Sequence, residues 1–343
     1  MDRYDNLKLK YFIMIINFTL IFTSILLNFF LFSFNDIIAK KINLYDVPNN
    51  KRKSHKFPVP LNGGIFYFLN LLLIFIFDIF FYDLKLLSIF RFTNESDAIL
   101  VLMIVLSLLL LGIVDDKISL KPASKSLASA VIFFAFLSIR MDYQIIGLRF
   151  ETFSFWLDLF GLSVIFTILC FVVFQVILNM YDGINLQSAF YYSTILIYLI
   201  LVNQNNNFSV FCALTLVNLV FFSFYNYKQK TFLGDNGVYI FSFILSLLLI
   251  RTYQNDNINF LVEEIFIILF IPFIDALRLF FKRILKNNNP LEGDRGHLHH
   301  ILLNKFGLIK ANIILITPLI FSLILIRLTN LTLIIIILLN LIT

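Results

Sequence analysis

Charge is scarce in this chain. Asp, Glu, Lys and Arg make up only 14% of its 343 residues, against about 25% in an average soluble chain. That excludes a string of two or three water-soluble domains. Cysteine is scarce too, and both copies, Cys170 and Cys212, fall inside apolar runs. They read as small buried hydrophobes, with neither a disulfide nor a metal site expected from them. The strict alternation of an outer-membrane barrel strand is absent. Histidine occurs four times, and three of those lie within the eight residues Gly293-Asp294-Arg295-Gly296-His297-Leu298-His299-His300. A chain so poor in titratable groups has gathered them in one place.

What fills the remainder is apolar, 60% of the residues. Apolar runs long enough to cross a hydrocarbon core about 30 Å thick recur throughout. Membrane helices are expected near 11–34, 63–82, 98–114, 123–139, 159–178, 186–202, 208–224, 232–250, 259–281 and 311–327. An apolar tail at 331–342 is short for a span. The fold class is therefore an all-α polytopic membrane protein of about 10–11 transmembrane helices. The first run is too long for a secretory h-region and lacks a small-residue cleavage site, so a retained helix is expected there.

Numbering the loops alternately, one set carries 17 Lys and Arg and the other, with the N-terminus, carries 9. The richer set is expected in the cytoplasm. That assignment brings His55, His297, His299, His300, Asp115-Asp116, the Asn179–Asn185 turn and Gly234-Asp235-Asn236-Gly237 to one face. The exterior loops show no comparable polar cluster.

Five stretches carry the chemistry. The first cytoplasmic loop runs from Asp46 through Lys53 and His55 to Asn62-Gly63-Gly64. Its bland reading is a basic loop that sets topology. However, Gly63-Gly64 opens a helix with backbone N–H groups that suit an anion, and basic residues beside it suit a phosphate. Asp115-Asp116 closes the third span, where acids oppose the helix macrodipole, a cost that points to function. Neighbours on a helix diverge by about 100°, so one of the two is free to meet a ligand or metal while the other holds a cation. Asn179 and Asp182 are spaced to share a face and offer oxygen donors to a hard cation such as Mg²⁺. Gly234-Asp235-Asn236-Gly237 is either an ordinary turn or a place where a ligand approaches the backbone and carboxylate closely. Arg295 with His297, His299 and His300 suits a multiply charged oxyanion better than a transition metal, since adjacent histidines do not converge on one ion. Asp275 and Arg278, three apart, are expected to pair with each other.

In this order, the five stretches resemble the polyprenyl-phosphate N-acetylhexosamine-1-phosphate transferase superfamily, bacterial glycosyltransferase family 4. The resemblance runs from Asp46 to His300. Asp294-Arg295-Gly296-His297-Leu298-His299-His300, preceded by Pro290, looks like the branch that loads N-acetylglucosamine-1-phosphate or a related sugar phosphate. The peptidoglycan branch, which transfers phospho-N-acetylmuramoyl-pentapeptide, typically has three consecutive histidines there and is the alternative. Two positions depart from the family pattern: Asn185 stands where a second aspartate is common, and Val238 where a serine is.

The resemblance implies a single membrane transferase domain over 1–343, in a bacterial inner membrane with its active-site loops in the cytoplasm. It would join a UDP-N-acetylhexosamine to undecaprenyl phosphate and release UMP. The implied cofactor is Mg²⁺, with Mn²⁺ as a substitute, held by Asp235 and Asn179 with Asp182 as a further partner. Asp115 and Asp116 would position the acceptor phosphate or accept its proton. Arg295, His297, His299 and His300 would hold the donor diphosphate, and Lys53 and His55 a phosphate, with Asp46 fixing their loop. No nucleic-acid partner is expected, and a homodimer is compatible with the pattern. A secondary transporter of an anionic solute is the reading from another class. Transporters place polar groups near the bilayer midplane, where the assigned spans are almost free of charge.

Overall fold

The computed structural model describes residues 3–48, 57–82, 85–92, 94–150, 155–203, 205–287 and 296–328. Twelve α-helices follow one another: α1 Arg3–Ser33, α2 Asn35–Ile42, α3 Gly63–Phe81, α4 Glu95–Ile118, α5 Pro122–Ile139, α6 Ser163–Tyr181, α7 Gln187–Val202, α8 Asn206–Tyr227, α9 Gly234–Tyr253, α10 Val262–Leu285, α11 Leu298–Phe306 and α12 Leu308–Leu328. Ten of them correspond to the ten expected spans. Eight are long and apolar enough to cross a membrane. Of the other two, α7 is shorter, and α10 carries Glu263, Glu264, Asp275, Arg278, Lys282 and Arg283. The apolar tail at 331–342 lies outside the described residues.

Helix α9 is the axis of the bundle. Its apolar positions run all round it, and a helix without a polar face has to be buried on every side. Residues Asn236 to Thr252 are buried without a break, with α3, α4 and α6 packed around them. Close approach is permitted by glycine. A Cβ on Gly64 or Gly112 would overlap the α9 backbone at Gly237 or Asn236, so a larger residue at either position would drive α3 or α4 off the axis.

Hydrophobic burial cannot by itself hold helices together in lipid, and interhelical polar contacts contribute. Between α1, α3 and α8, Asn28 donates to Asn70 Oδ1 (2.7 Å), while Asn70 and Asn218 both donate to Asn28 Oδ1 (3.0 and 2.9 Å). All three asparagines are buried and neutral, so this contact adds no charge to the apolar layer.

Two antiparallel hairpins, which the helix-only reading did not foresee, sit at opposite ends of the bundle. Strands β1 (Tyr45–Asp46) and β2 (Val59–Pro60) pair Tyr45 with Pro60 and Asp46 with Val59. Strands β3 (Gly147–Phe150) and β4 (Phe155–Asp158) pair Arg149 with Trp156. The first hairpin is stitched to the start of α9, where Phe232 N–H donates to Pro60 O at 2.8 Å.

The end that carries the C-terminus of α9 corrects one expectation. The loops there hold a charged cluster after all. Arg140 and Arg251, each 5% exposed, both donate to Asp142 and to Phe90 O. Asp97 lies 3.9 Å from Arg140, and the Arg251 guanidinium stacks 3.7 Å from the Tyr143 ring centroid. These residues come from separate segments of the chain and read as isolated charges until the helices are assembled.

Candidate active site

At the opposite end, the C-termini of α4 and α6 meet the N-terminus of α9. Asp115 and Asp116 lie in the last turn of α4, which extends beyond its expected end at 114 to Ile118. Acids there oppose the dipole of their own helix, and the structure shows what offsets the cost. Asp115 is 3% exposed; it accepts from Lys125 Nζ (2.9 Å), Tyr239 Oη (2.7 Å) and Leu120 N (2.8 Å). Asp116 instead serves another helix. It accepts the backbone N–H groups of Asp235 (2.9 Å) and Asn236 (3.2 Å) and the Asn236 side-chain amide (2.5 Å). An acid that is unfavourable at its own helix end thus caps the start of α9, where the dipole favours it.

Asp235 follows in the first turn of α9. Its Oδ1 accepts from Asn179 Nδ2, its Oδ2 lies 3.7 Å from Lys125 Nζ, and it is within hydrogen-bonding reach of Asp115. Asp182, at the end of α6, accepts from Ser188 Oγ at 2.5 Å. Desolvation pushes the Asp182 carboxyl up to about 6, opposed by the Ser188 hydrogen bond and reinforced by the charge of Asp116. Two of these carboxylates, Asp115 and Asp235, therefore share a single ammonium, that of Lys125, and Asp116 and Asp182 lie beside them. Carboxylate and amide oxygens are the donors a hard divalent cation takes, and their excess negative charge is what such an ion would offset. The residues present fit Mg²⁺.

The backbone around Asp182 is held in an unusual shape. Leu186 has φ +69°, a region that costs a branched L-residue of order 1 kcal/mol or more. Asn226 maintains it by accepting from Leu186 N–H (2.6 Å) while donating to Thr231 O (3.0 Å). Gly183, in the same turn, makes room for the histidine stretch: a Cβ there would overlap the His299 ring. That contact brings α11 to the carboxylates. His299 is 2% exposed, and burial, with His300 and His297 beside it, pushes its imidazolium down to about 3. It is neutral at physiological pH in the ligand-free protein. His297 lies 2.8 Å from Asp275 through Nδ1, and His300 rests edge-on against His299. The expected ion pair of Asp275 with Arg278 is present at 2.7 Å.

One feature of the first loop is corrected. The N–H groups of Gly63 and Gly64 are not open to an anion, because they donate to the carbonyls of Phe232 (3.1 Å) and Leu233 (3.2 Å). Asp46 lies on β1, and a cavity of about 680 Å³ beside this hairpin is lined by Tyr45, Val47, Pro58, Asp116 and Lys117. Lys53, His55 and Arg295 lie outside the described residues. Of the remaining candidates, Asp115, Asp116, Asn179, Asp182 and Asp235 form one cluster, with His299 packed against its edge.

Lys125 was missed by the sequence reading, which counted it as a loop charge. Its signal was present. It stands in the first turn of α5, three residues after Pro122, where a cation opposes the helix dipole just as the acids do at the end of α4. Tyr239 and Asn226 gave no signal, since a polar residue in an apolar helix has no visible partner until the helices pack.

A membrane-embedded helical bundle with an acid cluster at one end defines a class, and sequence comparison agrees with it. The family model described as "Glycosyl transferase family 4" matches residues 98–253, the segment that carries Asp115 through Asp235. Relatives named undecaprenyl-phosphate alpha-N-acetylglucosaminyl 1-phosphate transferase are similar over most of the chain. That of Salmonella typhi is 26% identical, covering 82% of this chain and 74% of its own. That of Thermotoga maritima is 25% identical over 85% and 84%, and that of Pasteurella multocida 28% over 78% and 73%. These matches bear out the superfamily to which the five motifs point, and they support a glycosyl or phosphosugar transferase.

Proposed function

We propose that this protein transfers an N-acetylhexosamine 1-phosphate, N-acetylglucosamine 1-phosphate being the first candidate, from a UDP-sugar to undecaprenyl phosphate. The observation that carries the reading is the gathering of Asp115, Asp116, Asp182 and Asp235 at one end of an apolar bundle, with Lys125 shared by Asp115 and Asp235. That position suits a reaction between one substrate in the bilayer and another in water. The site-bearing face is the cytoplasmic face of a bacterial inner membrane, as the distribution of basic residues suggests. The reaction is the first step of surface-glycan assembly.

An oxygen of the lipid phosphate attacks the phosphorus next to the sugar, and the bond from that phosphorus to the bridging oxygen of UMP breaks. The products are polyprenyl-diphospho-sugar and UMP. Phosphoryl transfer depends on alignment and charge neutralisation more than on covalent help. When bound, Mg²⁺ supplies that neutralisation at the donor diphosphate, with Asp235 and Asn179 as its holders and Asp182 beside them. Asp115 and Asp116 position the acceptor phosphate. No strong general base is needed, because the second pKa of a phosphate monoester is about 6. Lys125 places one positive charge between Asp115 and Asp235. Arg295, His297, His299 and His300 hold the donor diphosphate, and Lys53 and His55 act at the phosphate-binding end of the first loop, with Asp46 anchoring it.

The test is UMP release by the purified protein with Mg²⁺, undecaprenyl phosphate and a panel of UDP-sugars that includes UDP-N-acetylmuramoyl-pentapeptide. Release from a UDP-N-acetylhexosamine that requires the lipid is expected. Release from the pentapeptide donor alone would move the protein to the peptidoglycan branch. Lipid-independent solute uptake without UMP would overturn the transferase reading.

A further inference from the structure

Asp275 is 7% exposed on α10, outside the carboxylate cluster, and both of its oxygens are committed to the histidine stretch. Oδ2 lies 2.8 Å from His297 Nδ1. Oδ1 accepts from Leu298 N–H at 3.1 Å and from Arg278 Nη2 at 2.7 Å. The same Arg278 nitrogen reaches Gly296 O at 2.6 Å. The Asp275–Arg278 pair thus grips the backbone on both sides of His297, as well as its ring, and Asp275 caps the first turn of α11.

Two histidines and a carboxylate also invite a metal, since ligand atoms of Asp275, His297 and His299 lie within 4.8 Å of one another. The ring geometry argues against it. The His297 and His299 imidazoles are stacked, 5.1 Å between centroids and 5° between planes. Lone pairs that lie in two parallel, stacked planes do not converge on one ion. The second carboxylate oxygen is already taken by a guanidinium.

We propose that Asp275 is a positioning residue for His297, an inference that rests on the transferase reading above. A carboxylate behind an imidazole keeps a proton on the facing nitrogen and fixes the ring's orientation. Here that nitrogen is Nδ1, which leaves Nε2 to meet the donor diphosphate. Arg278 prevents Asp275 from swinging away and holds the flanking Gly296. A ring set in place before the donor arrives loses less freedom on binding it. The effect should therefore appear in donor affinity, leaving acceptor affinity alone.

The experiment is steady-state kinetics of UMP release by wild type, Asp275→Asn, His297→Ala and the double variant, with KM measured separately for UDP-sugar and undecaprenyl phosphate. Asp275→Asn is expected to raise the donor KM about tenfold, the size typical of losing an outer-shell partner, with the acceptor KM unchanged. In the His297→Ala background the same substitution should add nothing, because residues acting as one unit are non-additive. If Asp275→Asn fails to purify as a monodisperse protein, Arg278→Gln, which leaves the carboxylate in place, is expected to show a smaller donor-KM rise that also vanishes with His297→Ala. Wild-type kinetics, equal changes in both KM values, or additivity with His297→Ala would each overturn the proposal. Absence of UMP release by the wild type would overturn the transferase reading, and the role of His297 with it.

Discussion

The two ends of α9 bury charge in opposite ways. At its C-terminus, Arg251 and Arg140 meet Asp142 and Asp97, so each cation there has an anion and the set is closed. Arg251 also lies in the last turn of the helix, where the dipole favours a cation. At the N-terminus, Asp235 likewise suits the dipole, but it shares Lys125 with Asp115 while Asp116 caps the same turn close to Asp182, so among the described residues the carboxylates outnumber the ammonium they meet. A balanced cluster is complete without a ligand and acts as a clamp. An unbalanced one holds electrostatic free energy that a bound cation would release, and for this reason the N-terminal end is the one we propose as reactive.

Substitutions at the two ends should separate activity from stability. The largest effect is expected from Asp235→Asn: UMP release should fall by roughly 10²–10³-fold, as when a directed electrostatic contact to a transition state is lost. Thermal unfolding in detergent should stay near wild type, because one of four crowded carboxylates has been neutralised. Full Mg²⁺-dependent activity in this variant would break the assignment of the metal to Asp235. Asp142→Asn should do the reverse. Breaking a buried ion pair costs about 3–5 kcal/mol, but more than a third of the Asp142 side chain is exposed, so solvent reduces this to about 2 kcal/mol. The unfolding temperature should drop while turnover per folded molecule is retained; a loss of turnover without loss of stability would show that the clamp takes part in catalysis.

The smallest effect is a pH dependence of opposite sign at the two ends. Asp182 is raised to about 6, above its unfolded value of about 3.9. Its contribution to stability is therefore fully present below pH 4 and is lost as pH rises through 6. Two units correspond to about 3 kcal/mol, of which roughly half survives partial solvent access. Asp182→Asn should thus be more stable than wild type at pH 8 and equal to it near pH 4, as read by unfolding temperature across pH. At the other end, burial would raise Asp142, but hydrogen bonds from Arg140 and Arg251 and their charges bring it down to about 2. Its contribution is present above pH 4 and is lost as pH falls toward 2. A gain in Asp182→Asn that does not vary with pH would remove ionisation as its cause.

Much of the N-terminal end was legible in the sequence because its residues come as short motifs. Asp115-Asp116, Asn179 with Asp182, and Asp235 between glycines each advertise themselves as polar residues where apolar helices end. The clamp was illegible because Arg140, Asp142, Arg251 and Asp97 are spread over three distant segments, and no local pattern marks them. Lys125 falls between these cases: its position at a helix start is visible, but the carboxylates it joins are 10 and 110 residues away in the chain. Gly63-Gly64 misled in the other direction. The glycines were read as an opening for an anion, whereas their N–H groups are bonded to the segment leading into α9 and Gly64 itself lies against that helix.

Taken alone, the sequence determined that this is a membrane bundle, where ten of its helices run, and which stretches carry oxygen and imidazole groups. Those properties are additive along the chain, since hydropathy and helix length act within one segment at a time. Only the tertiary structure decided which charge answers which. Asp116 caps α9 rather than closing α4, Asn226 holds the Leu186 turn, and Asp275 backs His297. In a low-dielectric interior a buried polar group must find its partner or cost several kcal/mol, and that partner is chosen by the packing of distant helices.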